Sequence, residues 1–320
     1  MYPESMTRRK RRLPKWTSTA IAAAKNWNED GAFAHSASVS FYTLFSLAPV
    51  SIIVLSIAGF FFGADVASRQ FNEQMSALIG SGSAEMIQQT VQEAKPQSRG
   101  WTSTVISIGM LVVGATTVFA QLQNALNHIW GVKTKPSRAG WLVLVMQRLI
   151  SFAMVLTVGF LLLISLILTT ALASFAQHLE GVVALPKWLM QGAELMVTLG
   201  VITLLFAMMF KIMPDVQLRW RDIWRGAFVT AALFSGGRFL IALYLKYSDV
   251  ASVYGAAGSL VGLLMWVYYS CAILFYGVEF TRAHREQEGL LVKPKETAVL
   301  VRTEIMETPP SEEPKTADEH

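Results

Sequence analysis

Six long apolar runs, at 34–63, 101–121, 149–175, 188–210, 226–245 and 253–281, constrain this chain more than any other feature. Each matches or exceeds the roughly 20 residues that a helix needs to cross the hydrocarbon core of a bilayer. A core surrounded by water is built from shorter, periodic patterns instead. Only 15% of the residues are charged, against about 25% in soluble domains, so lipid is the expected solvent. The expected fold is all-α, a polytopic membrane bundle with six transmembrane helices, a short amphipathic N-terminal helix and an amphipathic outer loop. Three regions follow: a basic cytoplasmic segment over 1–33, the membrane domain over 34–285, and a disordered cytoplasmic tail over 286–320.

The charges orient the bundle. Lys and Arg number eighteen in the segments before 34 and over 122–147, 211–225 and 282–295, against five in the alternate loops 64–100, 176–187 and 246–252. Basic loops stay in the cytoplasm, so both termini are expected there. The net charge of +5 is distributed by membrane side and not along one recognition face, so nucleic acid is not an expected partner. The 33 residues ahead of the first run are mostly polar or small, unlike a cleavable secretory signal, and the first span is expected to remain in the mature protein.

Arg8, Arg9, Lys10, Arg11 and Arg12 precede Trp16, Ala20, Ala23 and Trp27, which fall near one helical face. The segment reads equally as an interfacial helix contacting anionic lipid through these cations and Trp16 and Trp27, or as a plain positive-inside anchor. In the loop 64–100, Phe71, Met75, Leu78 and Ile79 share a helical face before Gly80 and Gly82. Two short amphipathic helices are predicted, either capping the spans or lying on the outer leaflet. From 286 the composition turns to Glu, Pro, Thr, Ser and Lys, the pattern of a tail that cannot bury a core.

Ionisable and polar groups within the runs are the candidates for function. Arg238 is thirteenth in the run 226–245, after Ser235, Gly236 and Gly237. Glu279 lies one turn before Arg282, a spacing that suits an ion pair. Gln121, Gln123, Asn124, Asn127 and His128 gather polar groups at the inner end of the second run, as a pathway mouth or as mutual helix contacts. Gly255, Gly258 and Gly262 produce a groove for close helix packing, with Tyr254 beside it. Pro49 interrupts the first run and permits a kink. Cys271 reads as a small buried hydrophobe. The five histidines are dispersed, and nucleotide-binding loops and hydrolase signatures are lacking, so no metal, cofactor or enzymatic activity is expected.

Four blocks resemble the YihY/virulence factor BrkB family. They are Ala37-Ser38-Val39-Ser40-Phe41-Tyr42-Thr43-Leu44-Phe45-Ser46-Leu47-Ala48-Pro49, Ala125-Leu126-Asn127-His128-Ile129-Trp130-Gly131-Val132, Pro214-Asp215-Val216-Gln217-Leu218-Arg219-Trp220-Arg221-Asp222, and Val253-Tyr254-Gly255-Ala256-Ala257-Gly258 followed by Trp266 and Gly277-Val278-Glu279. The resemblance implies a bacterial inner-membrane protein with six spans, linked by name to virulence. Members have carried a ribonuclease label, which fits poorly with a chain lacking a soluble basic groove and a positioned acid, base or metal. Gly236, Gly237 and Arg238 stand here where an acidic residue, a glycine and a lysine are expected in the family. The expected function is transport, or translocation of lipid or an envelope component, without an ATPase in the chain; the alternative is a membrane scaffold or assembly factor. Expected partners are membrane lipids and either a second copy or an envelope-assembly protein.

Overall fold

The computed structural model describes residues 14–79, 81–94, 101–135, 153, 157, 187–247 and 257–301. Pro14 precedes α1 (Lys15–Glu29), and Gly31, at φ 65°, supplies the left-handed turn into α2 (Ala32–Phe62). At 31 residues α2 is about 46 Å long, more than a bilayer core requires. The helix runs on through Pro49. A Cβ at Gly114 would lie 2.7 Å from Pro49 Cγ, so the proline ring fills a notch that only glycine leaves open.

Gly63 turns the chain into α3 (Ala64–Ile79), followed by α4 (Ser81–Ala94). These are the two amphipathic helices predicted for the loop. Ile87 and Val91 of α4 are buried in the main core, with Phe71 and Met75 of α3 packed against it. The pair therefore caps the bundle. α5 (Trp101–Ile129) leads to the short strand β1 (Val132–Thr134), and α6 (Lys187–Ile212), α7 (Trp220–Tyr247) and α8 (Gly258–Gln287) follow. The run at 149–175 lies outside the described residues apart from 153 and 157. By length and hydropathy, Ala32–Phe62, Leu195–Ile212 and Leu260–Gln287 are able to cross a membrane.

α8 is the hub, packing against α1, α2 and α7, while α2 also packs on α5 and α6 on α7. Hydroxyl and glycine residues set the α7–α8 spacing. A Cβ at Gly226 would lie 1.8 Å from Thr281 Oγ1, and one at Gly277 would lie 1.7 Å from Thr230 Oγ1. Each threonine occupies the other helix's notch. It also donates its hydroxyl to its own helix, Thr230 to Gly226 O and Thr281 to Gly277 O. The groove expected at Gly255, Gly258 and Gly262 is only partly in view: Gly255 is outside the described residues, while Gly258 and Gly262 are buried in the first turns of α8.

Elsewhere the helices expose large apolar side chains, including Phe41, Phe45, Phe60, Leu195, Met196, Phe239 and Leu240. Water would penalise such a surface, whereas lipid tails accommodate it. Cys271 is a free, buried thiol.

Two expectations need correction. The face of α1 that carries Ala20, Ala23 and Trp27 rests on α8 and not on lipid: Trp27 Nε1 donates to Ala272 O at 3.0 Å, Tyr276 Oη donates to Ala20 O, and Ala23 packs with Phe280. Trp16 stacks on Phe280 while remaining exposed. An apolar stripe with two indoles fits a protein groove as well as a headgroup layer. The tail, expected to be disordered from 286, is structured as far as 301. Strand β2 (Ala298–Leu300) pairs antiparallel with β1, Val132 opposite Leu300, and Ala298 is buried. Residues 302–320 are outside the described residues.

Candidate functional site

Among the described residues, buried polar groups gather at the end of the bundle where α5, α6 and α8 finish. Pro214, lacking an N–H, follows the end of α6, and Asp215 turns toward α5. Asn127 meets it twice: Asp215 N donates to Asn127 Oδ1 at 2.8 Å, and Asn127 Nδ2 donates to Asp215 Oδ2 at 3.0 Å. Thr134 Oγ1 adds a bond to Oδ2 at 3.3 Å, and Gln123 Nε2, one turn before Asn127, lies 3.5 Å from Oδ1. Asn127 and Asp215 are only 6% and 7% exposed. The Asp215 carbonyl accepts from Lys295 N at 2.9 Å, and Gln217 N donates to Lys293 O at 2.8 Å. This tethers the tail to the loop.

A second knot surrounds Arg282. Its Nη1 donates to Asp30 Oδ2 at 2.7 Å and to Ile129 O at 2.6 Å, and its Nε donates to Glu286 Oε1 at 3.0 Å. One guanidinium thus ties the α1–α2 turn, the end of α5 and α8 together. Glu279, 0% exposed, sits 3.8 Å from the same Nη1, consistent with the ion pair its spacing suggests. Neither Glu279 oxygen accepts a hydrogen bond from a described residue. A third knot pairs Arg285 with Asp222, and nearby Arg225 reaches Glu288 at 3.3 Å.

The structure divides the sequence candidates among separate places. Asn127 and Glu279 lie in these two adjoining knots. Gln121 is half-buried and donates to Ser38 Oγ at 2.8 Å. Asn124 and His128 are exposed, the latter beside His35 with ring centroids 4.9 Å apart. The face of Gln121, Asn124 and His128 is therefore distinct from the buried face of Gln123 and Asn127. Arg238 is exposed on α7 among exposed Leu233, Phe239 and Leu240. It comes eighteen residues after Trp220, about 27 Å along the axis from that end of α7. Behind it Gly237 is buried, and a Cβ there would lie 1.9 Å from Tyr269 Oη. Tyr254 and Gly255, and Arg8, Arg9, Lys10, Arg11 and Arg12, lie outside the described residues.

Sequence reasoning missed Asp30, Asp215, Asp222, Arg285 and Lys295. Asp215 and Asp222 had a signal, two acids in a loop read only for its cations. Asp30 had another, an acid wedged between a helix end and Gly31.

The sequence profile of a protein family described as Virulence factor BrkB matches residues 23–299. A UPF0761 membrane protein of Albidiferax ferrireducens is 27% identical over 270 residues, 82% of this chain and 61% of the relative. One of Chromobacterium violaceum is 30% identical over 258 residues, 79% of this chain and 58% of the relative. A third, from Neisseria meningitidis serogroup B, is 27% identical over 79% of this chain and 60% of the relative. The chain thus spans about three fifths of the length of the curated relatives it matches. No solved structure matches it.

Proposed function

Because the chain belongs to the virulence factor BrkB family, whose relatives here are named membrane proteins, we propose that it moves lipid or another anionic envelope component across the bacterial inner membrane. Six spans carry the path, with both termini in the cytoplasm, and no catalytic step or ATPase belongs to the chain. Supporting this topology are the six apolar runs, the eighteen-to-five charge asymmetry and the lengths of α5 and α7, 29 and 28 residues.

The observation that carries the reading is the exposure of Arg238 among Leu233, Phe239 and Leu240 on the outer face of α7. An ionised side chain within hydrocarbon costs about 2.5–3.5 kcal/mol on insertion scales. A guanidinium fork matches the oxygens of a phosphate headgroup, and pairing with one offsets much of that cost. The close Gly–Thr and Gly237–Tyr269 contacts hold α7 against α8 behind it, so the cation sits on a stiff surface. A headgroup travelling along α7 meets a station at Arg238 while its acyl chains stay in lipid.

Scrambling of a fluorescent phosphatidylglycerol in liposomes tests the reading with wild-type protein, Arg238→Ala and an unrelated six-span protein. Faster movement by the wild type than by both comparators is expected. Equal rates for Arg238→Ala and wild type would remove the stated mechanism. A scaffold role is the second reading, favoured by the α3–α4 cap as a partner surface. Crosslinking that returns only lipids and self-contacts counts against it.

A further inference from the structure

Beside the polar knots lies a cavity of about 540 Å³ whose lining includes Lys211, Arg219, Arg285, Lys293 and Lys295 and, among the described residues, no acidic side chain. Four segments build it: the last turn of α6, the loop 216–219, the last turn of α8 and the strap 290–295. Bonds already described hold the strap in place, Gln217 N to Lys293 O and Lys295 N to the Asp215 carbonyl. The concavity is thus built from backbone pairing and does not depend on side-chain drift.

Asp222 pairs with Arg285 and Asp215 attracts Lys295, which leaves Lys211, Arg219 and Lys293 as a cationic excess whose repulsion an anion between them relieves. Arg219 and Lys293 are exposed at the rim, while Lys211 and Lys295 are half-buried and Arg285 is buried. Arg285 is 5% exposed, and although Nη1 pairs with Asp222 and Nη2 donates to Leu291 O at 3.1 Å, its buried Nε finds no acceptor among the described residues. A buried donor without a partner is rare enough to require an explanation. Lys295 Nζ reaches Ile212 O at 3.2 Å, and Lys211 reaches Leu218 O and lies over the Trp220 ring. The side chains of Arg219 and Lys293 form no ion pair with a described residue. Leu218, Leu290 and Leu291 add an apolar wall, and the volume falls within the range of small-ligand sites.

We propose that this cavity binds a phosphate-bearing anion, held by Arg219, Lys293 and the neighbouring cations, with the leucine wall receiving any apolar portion. The site stands whether or not the protein moves lipid. Its ligand comes from the aqueous phase as a soluble di- or polyphosphate, or from the membrane as an anionic headgroup.

The full chain in neutral detergent, as wild type and as the double variant Arg219→Ala/Lys293→Ala, distinguishes these sources. Both residues are exposed, so the variant is expected to melt with the wild type. Calorimetric titration with inorganic pyrophosphate forms one arm. Retention of phosphatidylglycerol after transfer from mixed phosphatidylcholine vesicles, counted by native mass spectrometry, forms the other. Saturable pyrophosphate binding weakened tenfold or more in the double variant assigns a soluble phosphate. Selective loss of retained phosphatidylglycerol by the variant, with no pyrophosphate binding, assigns a lipid headgroup, and loss in both arms assigns the shared phosphate chemistry. Wild type and variant behaving alike in both arms would overturn the site. The readout is binding and not lipid movement, so this failure and that of Arg238 are separable.

Discussion

Asn127→Ala probes the junction most directly. The wild-type carboxamide accepts the Asp215 N–H and donates to its carboxylate, at 2.8 and 3.0 Å. Truncation removes a bond to a carboxylate, about 1.5–3 kcal/mol, and strands a buried backbone donor, about 1–3 kcal/mol. The remaining side-chain contacts to Asp215, from Thr134 at 3.3 Å and Gln123 at 3.5 Å, are too long to compensate. A loss of about 3–5 kcal/mol follows. At about 2–4 °C per kcal/mol for a domain of this order of size, the melting midpoint in detergent should drop by about 10 °C. Asn127→Asp keeps the shape but replaces the donor with a second carboxylate facing Asp215, so it should melt at least as early. A midpoint for Asn127→Ala within about 2 °C of wild type would refute the reasoning, because the pair would then be incidental to the fold.

Three further outcomes use the same melting assay. Gly277→Ala places a Cβ 1.7 Å from Thr230 Oγ1 and 2.9 Å from its Cβ; overpacking should cost about 1–3 kcal/mol or more, and adding Thr230→Ala should recover part of it, which a loosely packed α7–α8 seam would not require. Asp222→Ala leaves the buried Arg285 guanidinium without its carboxylate, an expected loss of about 3–5 kcal/mol; unchanged melting and gel-filtration profiles would argue that the two are not coupled. Burial first, then the charge of Lys211, push the Lys295 ammonium below the ordinary lysine range, against the pull of Asp215. The native state therefore releases this proton at lower pH than the unfolded chain, so its charge opposes folding at neutral pH, and that penalty fades as pH rises toward about 10.4. The stability of Lys295→Met relative to wild type should shift in favour of the wild type over that range, and a flat or opposite difference would contradict the sign.

Hydropathy made the helices at 32–62, 187–212 and 258–287 legible, because a run long enough to cross a bilayer has few other uses. The α3–α4 pair was legible from Phe71 and Met75, although nothing local told cap from leaflet; that depended on Ile87 and Val91 finding the core. α1 shows the same limit, since Trp27 looks alike whether its N–H meets a headgroup or Ala272 O. Residues 298–300 were read within a polar, proline-containing tail, and their partner at 132–134 is too distant for any window to detect. Glycine spacing drew attention to Gly255, Gly258 and Gly262, yet the closest approaches described, at Gly226, Gly237 and Gly277, depend on which helix stands opposite. Positive-inside counting identified the basic loops while concealing Asp215 and Asp222 among the cations. The same counting treated Lys211, Arg219, Arg285, Lys293 and Lys295 as orientation signals, whereas the fold gathers them around one hollow.

The β1–β2 pairing has a consequence for biogenesis. Val132 waits for Leu300, and at about 5–20 residues per second of synthesis the edge of β1 stays open for roughly 10–30 s. During that interval α6, α7 and α8 are made, and α6 and α8 contain stretches long and apolar enough to cross a membrane. The strand that closes the edge leaves the ribosome after the last of them. The strap is therefore a late latch: it completes the Asp215 junction only after the last long helix has been made, and a chain stalled part-way leaves the edge of β1 without its partner.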